Sequence, residues 1–339
     1  MSARESAAGK GATAPGSGAN SGKQGVLETG AANASARADA PTPAPRRRHS
    51  PIFTMAKPYL CIAPAIIVLA VFWIMPIFNM GYLSMFKWDL ISPTMKWVGL
   101  GNFQALFADP EFWQTFLNTV IYTVFVVGLG VGLGLLVAVY LKARTRTNGF
   151  LQAVIFSPYV VSLASVALLW MWIMNKDYGL LNSIVGLFGI QPVDWLGDTH
   201  VALPSLILIS VWKSVGYDAL ILVSAIQGIP EHLYEAARLD RADTWTTFRR
   251  ITLPMVSPTL FFLVIVDVIA SLKVFETIQI MTLGGPQNAT NTLVFSLYQY
   301  GFQFNQVGYA AAIGVVLLVL IAIFAAVYFR LLANRVHYR

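Results

Sequence analysis

Charge, cysteine and histidine are all scarce in this chain, and each scarcity removes a class of protein. Only 12% of the 339 residues are charged, while 56% are hydrophobic. That leaves too little polar surface to wrap a water-soluble core of this length, so the chain reads as an integral membrane protein solvated by lipid. A single cysteine, Cys61, excludes an intrachain disulfide and any cysteine-based metal site. The histidines, His49, His200, His232 and His337, stand apart in tails or loops and offer no metal centre. No G-x-x-x-x-G-K-[ST] stretch occurs, so the chain cannot cradle ATP phosphates by that device. The net charge is +7, but the basic residues cluster between apolar runs rather than along one face. This argues against nucleic acid as a partner.

What the chain has is length of apolar sequence. Residues 1–50 are rich in Ala, Gly, Ser and Pro and are expected to form a disordered cytoplasmic tail. This tail is too polar to read as a signal peptide. It ends in "PRRRH", next to the first apolar run. Residues 51–339 are expected to form one transmembrane domain. Six segments in it, 58–85, 114–141, 151–174, 201–227, 257–282 and 307–330, are long enough to cross the bilayer. The requirement is roughly 30 Å of hydrocarbon at about 1.5 Å per residue. Between and around them the Lys and Arg residues divide fourteen to three. The rich side holds Arg46, Arg47, Arg48 and Lys57, then Lys142, Arg144 and Arg146. It also holds Arg238, Arg241, Arg249 and Arg250, then Arg330, Arg335 and Arg339. The poor side holds Lys87, Lys96 and Lys176. The bias places both termini in the cytoplasm of a multi-pass plasma-membrane protein.

Small residues mark where helices meet. "GLGVGLG" spaces Gly128 from Gly132 and Gly130 from Gly134 by one helical turn, and Gly308, Ala310, Ala312 and Gly314 repeat the pattern. Both stripes are assigned to packing. Outside the spans, 97–116 is expected to be an amphipathic interfacial element, and 176–198 a short helix followed by a loop. Asn288, Asn291 and Thr292 read as turn residues, with contact to a docked protein as the second reading. Ionisable groups inside spans are costly, about 2.5–3.5 kcal/mol each at mid-helix, and so become functional candidates. These are Lys213 and Asp218 in the fourth span, and Asp267, Lys273 and Glu276 in the fifth. Trp212, Lys213, Tyr217 and Asp218, with Lys273 and Glu276, form the candidate solute pathway: aromatic faces stack on sugar rings and charged groups bind hydroxyls. The competing reading is structural, with Lys273 and Glu276 neutralising each other three residues apart.

One block contradicts the apolar background. "PEHLYEAARLDRADTWTTFRRITLP" (230–254) carries eight charged side chains between Glu231 and Arg250. Pro230 suits the first position of a helix, with Glu231 in its favourable first turn. A second short helix would carry Trp245, Phe248 and Ile251 or Thr252, giving a helix–turn–helix along the cytoplasmic surface. A plain solvated loop explains the arginines but not the acids, the paired alanines or the aromatic face.

The block resembles the EAA motif of ABC importer permeases, with Glu235, Ala236, Ala237, Ile251, Leu253 and Pro254 at matching positions. The resemblance extends over nearly all of 55–339 through "GLGNFQALFADPEFW", "VWKSVGYDALILVSAIQGIP" and "LKVFETIQIMTLGGPQNATNTLVFSLYQYGF". It is nearest to the carbohydrate-uptake branch, of maltose and sn-glycerol-3-phosphate type. It implies a six-helix all-α permease bundle whose loop 228–256 holds a coupling helix. Glu235, Ala236, Ala237, Asp240, Arg241, Phe248, Ile251, Leu253 and Pro254 would then dock an ATPase. The implied partners are a second similar permease, two ATP-binding subunits carrying ATP and Mg, and an extracytoplasmic solute-binding protein. The implied substrate is a sugar, oligosaccharide or glycerol-phosphate-type solute, and this chain itself binds no cofactor. The family's glycine falls on Arg241, which would carry a strain of about 1 kcal/mol if that position is left-handed. Of the other classes, a secondary transporter would need its own ion-coupling site, and an enzyme would need convergent catalytic groups. Neither is evident. A non-transporting assembly protein is the remaining alternative.

Overall fold

The computed structural model describes residues 61–332. The 1–50 tail, the "PRRRH" run and the last basic residues lie outside the described part. The described architecture is helical, with one hairpin of two-residue strands. Helix α1 (Cys61–Leu83) contains a π-turn at Ala70–Ile74 and leads into β1 (Phe86–Lys87). This strand pairs antiparallel with β2 (Lys96–Trp97), Phe86 opposite Trp97. The hairpin had no clear signal in the sequence; the edge-on contact of Phe86 and Trp97, 5.0 Å between ring centres, helps hold it.

The interfacial element expected at 97–116 divides in two. Helix α2 (Gly101–Ala108) stops at Asp109, and the long α3 (Pro110–Leu141) starts at once. The Asp109 carboxylate accepts from the Glu111 N–H at 2.9 Å, with Pro110 at the first helical position. An acceptor at the N-cap followed by proline is enough to start the span early.

The third expected span is not a single rod. Helices α4 (Arg146–Val160) and α5 (Leu163–Ile173) meet at 96°. Pro158 removes a backbone donor near the end of α4, and Val161 and Ser162 are extended, with ψ of 140° and 132°. An apolar segment can therefore look continuous while its backbone is broken.

A short α6 (Leu180–Gly186) follows, held to its loop by the buried Asn182 side chain, which bonds Lys176 O, Val193 and the Trp195 indole. Helix α7 (Ala202–Gln227) packs along α3. Here Gly130 and Gly134 serve as expected: a Cβ at Gly134 would lie 2.7 Å from the Asp218 Cβ. Gly128 and Gly132, half a turn away, touch nothing within 4 Å and instead line an apolar cleft with Val264 and Leu320.

After α8 (Glu231–Leu239) comes α9 (Thr244–Thr247). It does not end as a separate surface helix. A π-turn at Phe248–Thr252 carries it into α10 (Leu253–Leu272). The wider turn lets the helix pass Pro254, which has no N–H to donate. The fifth span also breaks at Lys273, before α11 (Glu276–Met281). Helix α12 (Leu293–Tyr298) and α13 (Val307–Leu332) complete the fold. Five helical runs, or six counting the bent α4–α5 pair, are long and apolar enough to cross a membrane.

Candidate functional site

Two regions carry the candidate residues. The first is the charged block. Pro230 sits one position earlier than expected, as the N-cap of α8, and Glu231 opens the helix. Ala237 packs inward at 7% exposure, while Glu235, Ala236 and Asp240 face outward. The helix ends on Arg241, whose φ is +53°. The Ala242 N–H returns to Ala237 O at 2.9 Å and the Arg241 N–H to Arg238 O at 3.1 Å. This is the left-handed helix stop that glycine normally supplies. Two residues on, the Asp243 carboxylate accepts from the N–H groups of Trp245 (3.2 Å) and Thr246 (3.3 Å) and caps α9. The bonds from Thr246, then from Trp245, hold that carboxyl below its ordinary value.

The block is anchored from behind. Ile251, Leu233 and Tyr234 pack on the core, and the Tyr234 hydroxyl meets the Thr252 hydroxyl at 3.1 Å. The Lys142 ammonium lies 5.6 Å from the centre of the Tyr234 ring, and the Gln227 amide donates to Lys142 O at 3.1 Å. Phe248 stacks on Trp245 at 5.7 Å, Leu253 is half-buried, and Pro254 faces outward. Leu239 and Trp245 stay 85% and 65% exposed. None of the eight charged side chains forms an ion pair: among the described residues the only one is Lys176–Asp194, 3.4 Å, elsewhere.

The second region is a cavity of about 390 Å³ between α3, α4, α7 and α10. Of the sequence candidates, Lys213, Tyr217, Lys273 and Glu276 line it. Trp212 does not; it packs edge-on against Trp170 at 5.4 Å. Asp218 does not either. It is fully buried, neither oxygen has a hydrogen-bond partner, and it lies within reach of the Asp267 carboxyl. Lys273 is the residue that ends α10 rather than a mid-helix charge, and it forms no ion pair with Glu276, which starts the next helix.

Three lining residues were not singled out as pathway candidates. Tyr122 joins its hydroxyl to Ser210 at 2.6 Å, Tyr159 stacks on Tyr217 with centroids 4.5 Å apart, and Asp267 faces the cavity from α10. Asp267 had a signal, being a charge within an apolar run; the two tyrosines are ordinary in sequence and depend on the fold. Asn291 and Thr292 are fully buried, which removes them as contacts for a docked protein. The Asn118 amide donates to the backbone carbonyls of Asn288 and Asn291 at 3.0 and 3.1 Å.

The family described as "Binding-protein-dependent transport system inner membrane component" matches residues 130–338. The sn-glycerol-3-phosphate transport system permease protein UgpA of Agrobacterium fabrum is 35% identical over 282 residues, covering 83% of this chain and 96% of the relative. The trehalose/maltose transport system permease protein MalF of Thermococcus litoralis is 34% identical over 272 residues, covering 80% and 92%. A chain of a bacterial alginate ABC transporter, crystallised with an alginate pentasaccharide-bound periplasmic protein, superposes with a TM-score of 0.74. It is 22% identical over 84% of this chain and 96% of its own, and shares the fold.

Proposed function

The chain belongs to this family, the inner-membrane permease subunits of ABC importers, and on that premise we propose that residues 231–254 are its docking surface for the ATP-hydrolysing partner. Permeases of this family are not enzymes; hydrolysis resides in a separate subunit. The observation that carries the proposal is the state of the block's side chains. Among the described residues, eight charges stand without ion pairs beside an exposed leucine and tryptophan, on a backbone fixed by a left-handed stop, an aspartate cap and a half-buried tyrosine. Unpaired charge around an apolar centre matches the anatomy of a protein interface.

The same block is mechanically joined to the cavity. Helix α9, the π-turn and α10 form one run from Thr244 to Leu272, roughly 40 Å at about 1.5 Å per residue. Asp267 and Lys273 lie at its far end, on the cavity wall. A push on α9 would therefore reach the cavity without crossing a flexible joint. In this reading the chain forms half of a translocation path, and a second permease forms the other half. Two ATP-binding subunits dock from the cytoplasm, where both termini also lie, and an extracytoplasmic binding protein delivers solute. The substrate is a sugar, oligosaccharide or glycerol-phosphate-type solute, as the names of the relatives suggest. Stacked Tyr159 and Tyr217 offer a face for a ring, and Lys273 and Glu276 offer charged partners for hydroxyl or phosphate oxygens.

Affinity purification of the chain from its native membrane tests the assembly. A stoichiometric nucleotide-hydrolysing subunit in the eluate is expected. Solute uptake by this chain alone, driven by an ion gradient, would contradict the reading.

A further inference from the structure

The break between α4 and α5 leaves backbone carbonyls without helical partners inside the membrane. An α-helix satisfies each carbonyl with an N–H four residues on, and this ladder stops where Val161 and Ser162 turn extended. At membrane depth a freed carbonyl needs a donor from the protein or from water in a cavity. Here one side chain supplies it. The Lys213 ammonium, arriving from α7, donates to Pro158 O at 3.0 Å, Tyr159 O at 3.0 Å and Val161 O at 2.7 Å. An ammonium has three N–H donors, so all are committed to these carbonyls. The last carbonyls of a helix also carry its partial negative charge, which suits a cation there.

We propose that Lys213 is a clamp that fixes the α4–α5 bend, a positioning residue for the cavity wall rather than a solute ligand. The consequences follow the geometry. The bend sets where the Tyr159 ring sits, its centre 5.7 Å from the Lys213 nitrogen and stacked on Tyr217, which lies one turn further along α7. The clamp thereby holds the aromatic pair that faces the cavity. With the three donors of Lys213 occupied, Lys273 is the lining cation, among the described residues, with donors left for a solute. The link to transport rests on the proposed path; the clamp itself does not.

The test is a distance across the bend, which needs no solute. Spin labels are placed at Phe150 on α4 and Leu169 on α5, both exposed in this chain. The background is Cys61→Ser, in the purified complex with its partners stripped of reactive cysteines. Electron–electron resonance then compares Lys213→Arg, Lys213→Gln and Lys213→Met. The clamp predicts a single narrow distance for the unsubstituted residue and for arginine, a broadened one for glutamine, and a second, separate population for methionine. If the methionine variant does not assemble, a broader distribution for glutamine than for arginine still supports the clamp. Distributions indistinguishable across the assembled variants would overturn it, whatever happens to transport. Loss of transport in Lys273→Met with an unchanged distance would instead bear only on the solute path.

Discussion

The same kinds of charged residue behave in opposite ways at the two ends of α10. At the 231–250 block they stand outward and, among the described residues, without ion pairs, with an arginine accepting a left-handed backbone to keep the turn tight. Around the cavity they turn inward: Lys213 spends its donors on a broken helix, and Asp218 faces Asp267 behind a glycine. Burial decides the difference. In water a charge needs no partner and can be kept for one; inside the bundle an unsatisfied charge is costly, a cost that Lys213 meets with three carbonyls and that buried Asp218, without a hydrogen-bond partner, does not. The exposed charges of the outer block are therefore available to a partner molecule, as the proposed docking requires, whereas the donors of Lys213 are already taken by its own chain.

Four changes would break or sharpen this contrast. The largest effect is expected from Glu235→Lys, which reverses a charge on the outward face of α8. ATP-driven uptake should be abolished while the chain still inserts, read by uptake in vesicles alongside membrane yield. Next is the glycine pair on α3. Gly134→Val forces a side chain against the Asp218 Cβ and the Ala219 amide, 2.7 and 3.2 Å from an added Cβ. Overpacking of that kind costs about 1–3 kcal/mol, and the complex should lose thermal stability. A Cβ added at Gly132 meets nothing within 4 Å, so Gly132→Val should leave this chain's fold unaffected.

A smaller and opposite effect is expected from Arg241→Gly. It relieves the positive φ and should slow amide exchange across 238–243, stabilising the turn by about 1 kcal/mol. Smallest is the acid response of the α9 cap. The Asp243 carboxyl is held below its ordinary value of 3.8, so its contribution is present above that pH and is lost as pH falls below it. Exchange at Trp245 and Thr246 should rise only in that acid window, and Asp243→Ala should show the faster exchange at all pH values.

Much of this was legible in the sequence. Apolar runs announce spans because lipid tolerates little else, and the EAA block announced itself by contrast with them. The left-handed stop at Arg241 was readable from the position of the family's glycine. What the sequence concealed are features made by tertiary contact. Val160, Val161 and Ser162 sit inside a hydrophobic run that masks a 96° break, because hydropathy counts side chains and not hydrogen bonds. Lys213 looked like a binding residue for the same reason: its carbonyl partners lie more than fifty positions away. Tyr122 and Tyr159 become cavity residues only once α3, α4 and α7 converge.

The central claim is that the 231–254 block is gripped by a nucleotide-hydrolysing neighbour. A photo-reactive phenylalanine analogue at Trp245, irradiated in intact membranes, tests it most directly, with Ile91, 79% exposed in the hairpin connection, as the control position. The account predicts that position 245 captures the ATPase subunit and position 91 does not. Capture of lipid alone, or of nothing, at position 245 in an assembled and active complex would contradict it.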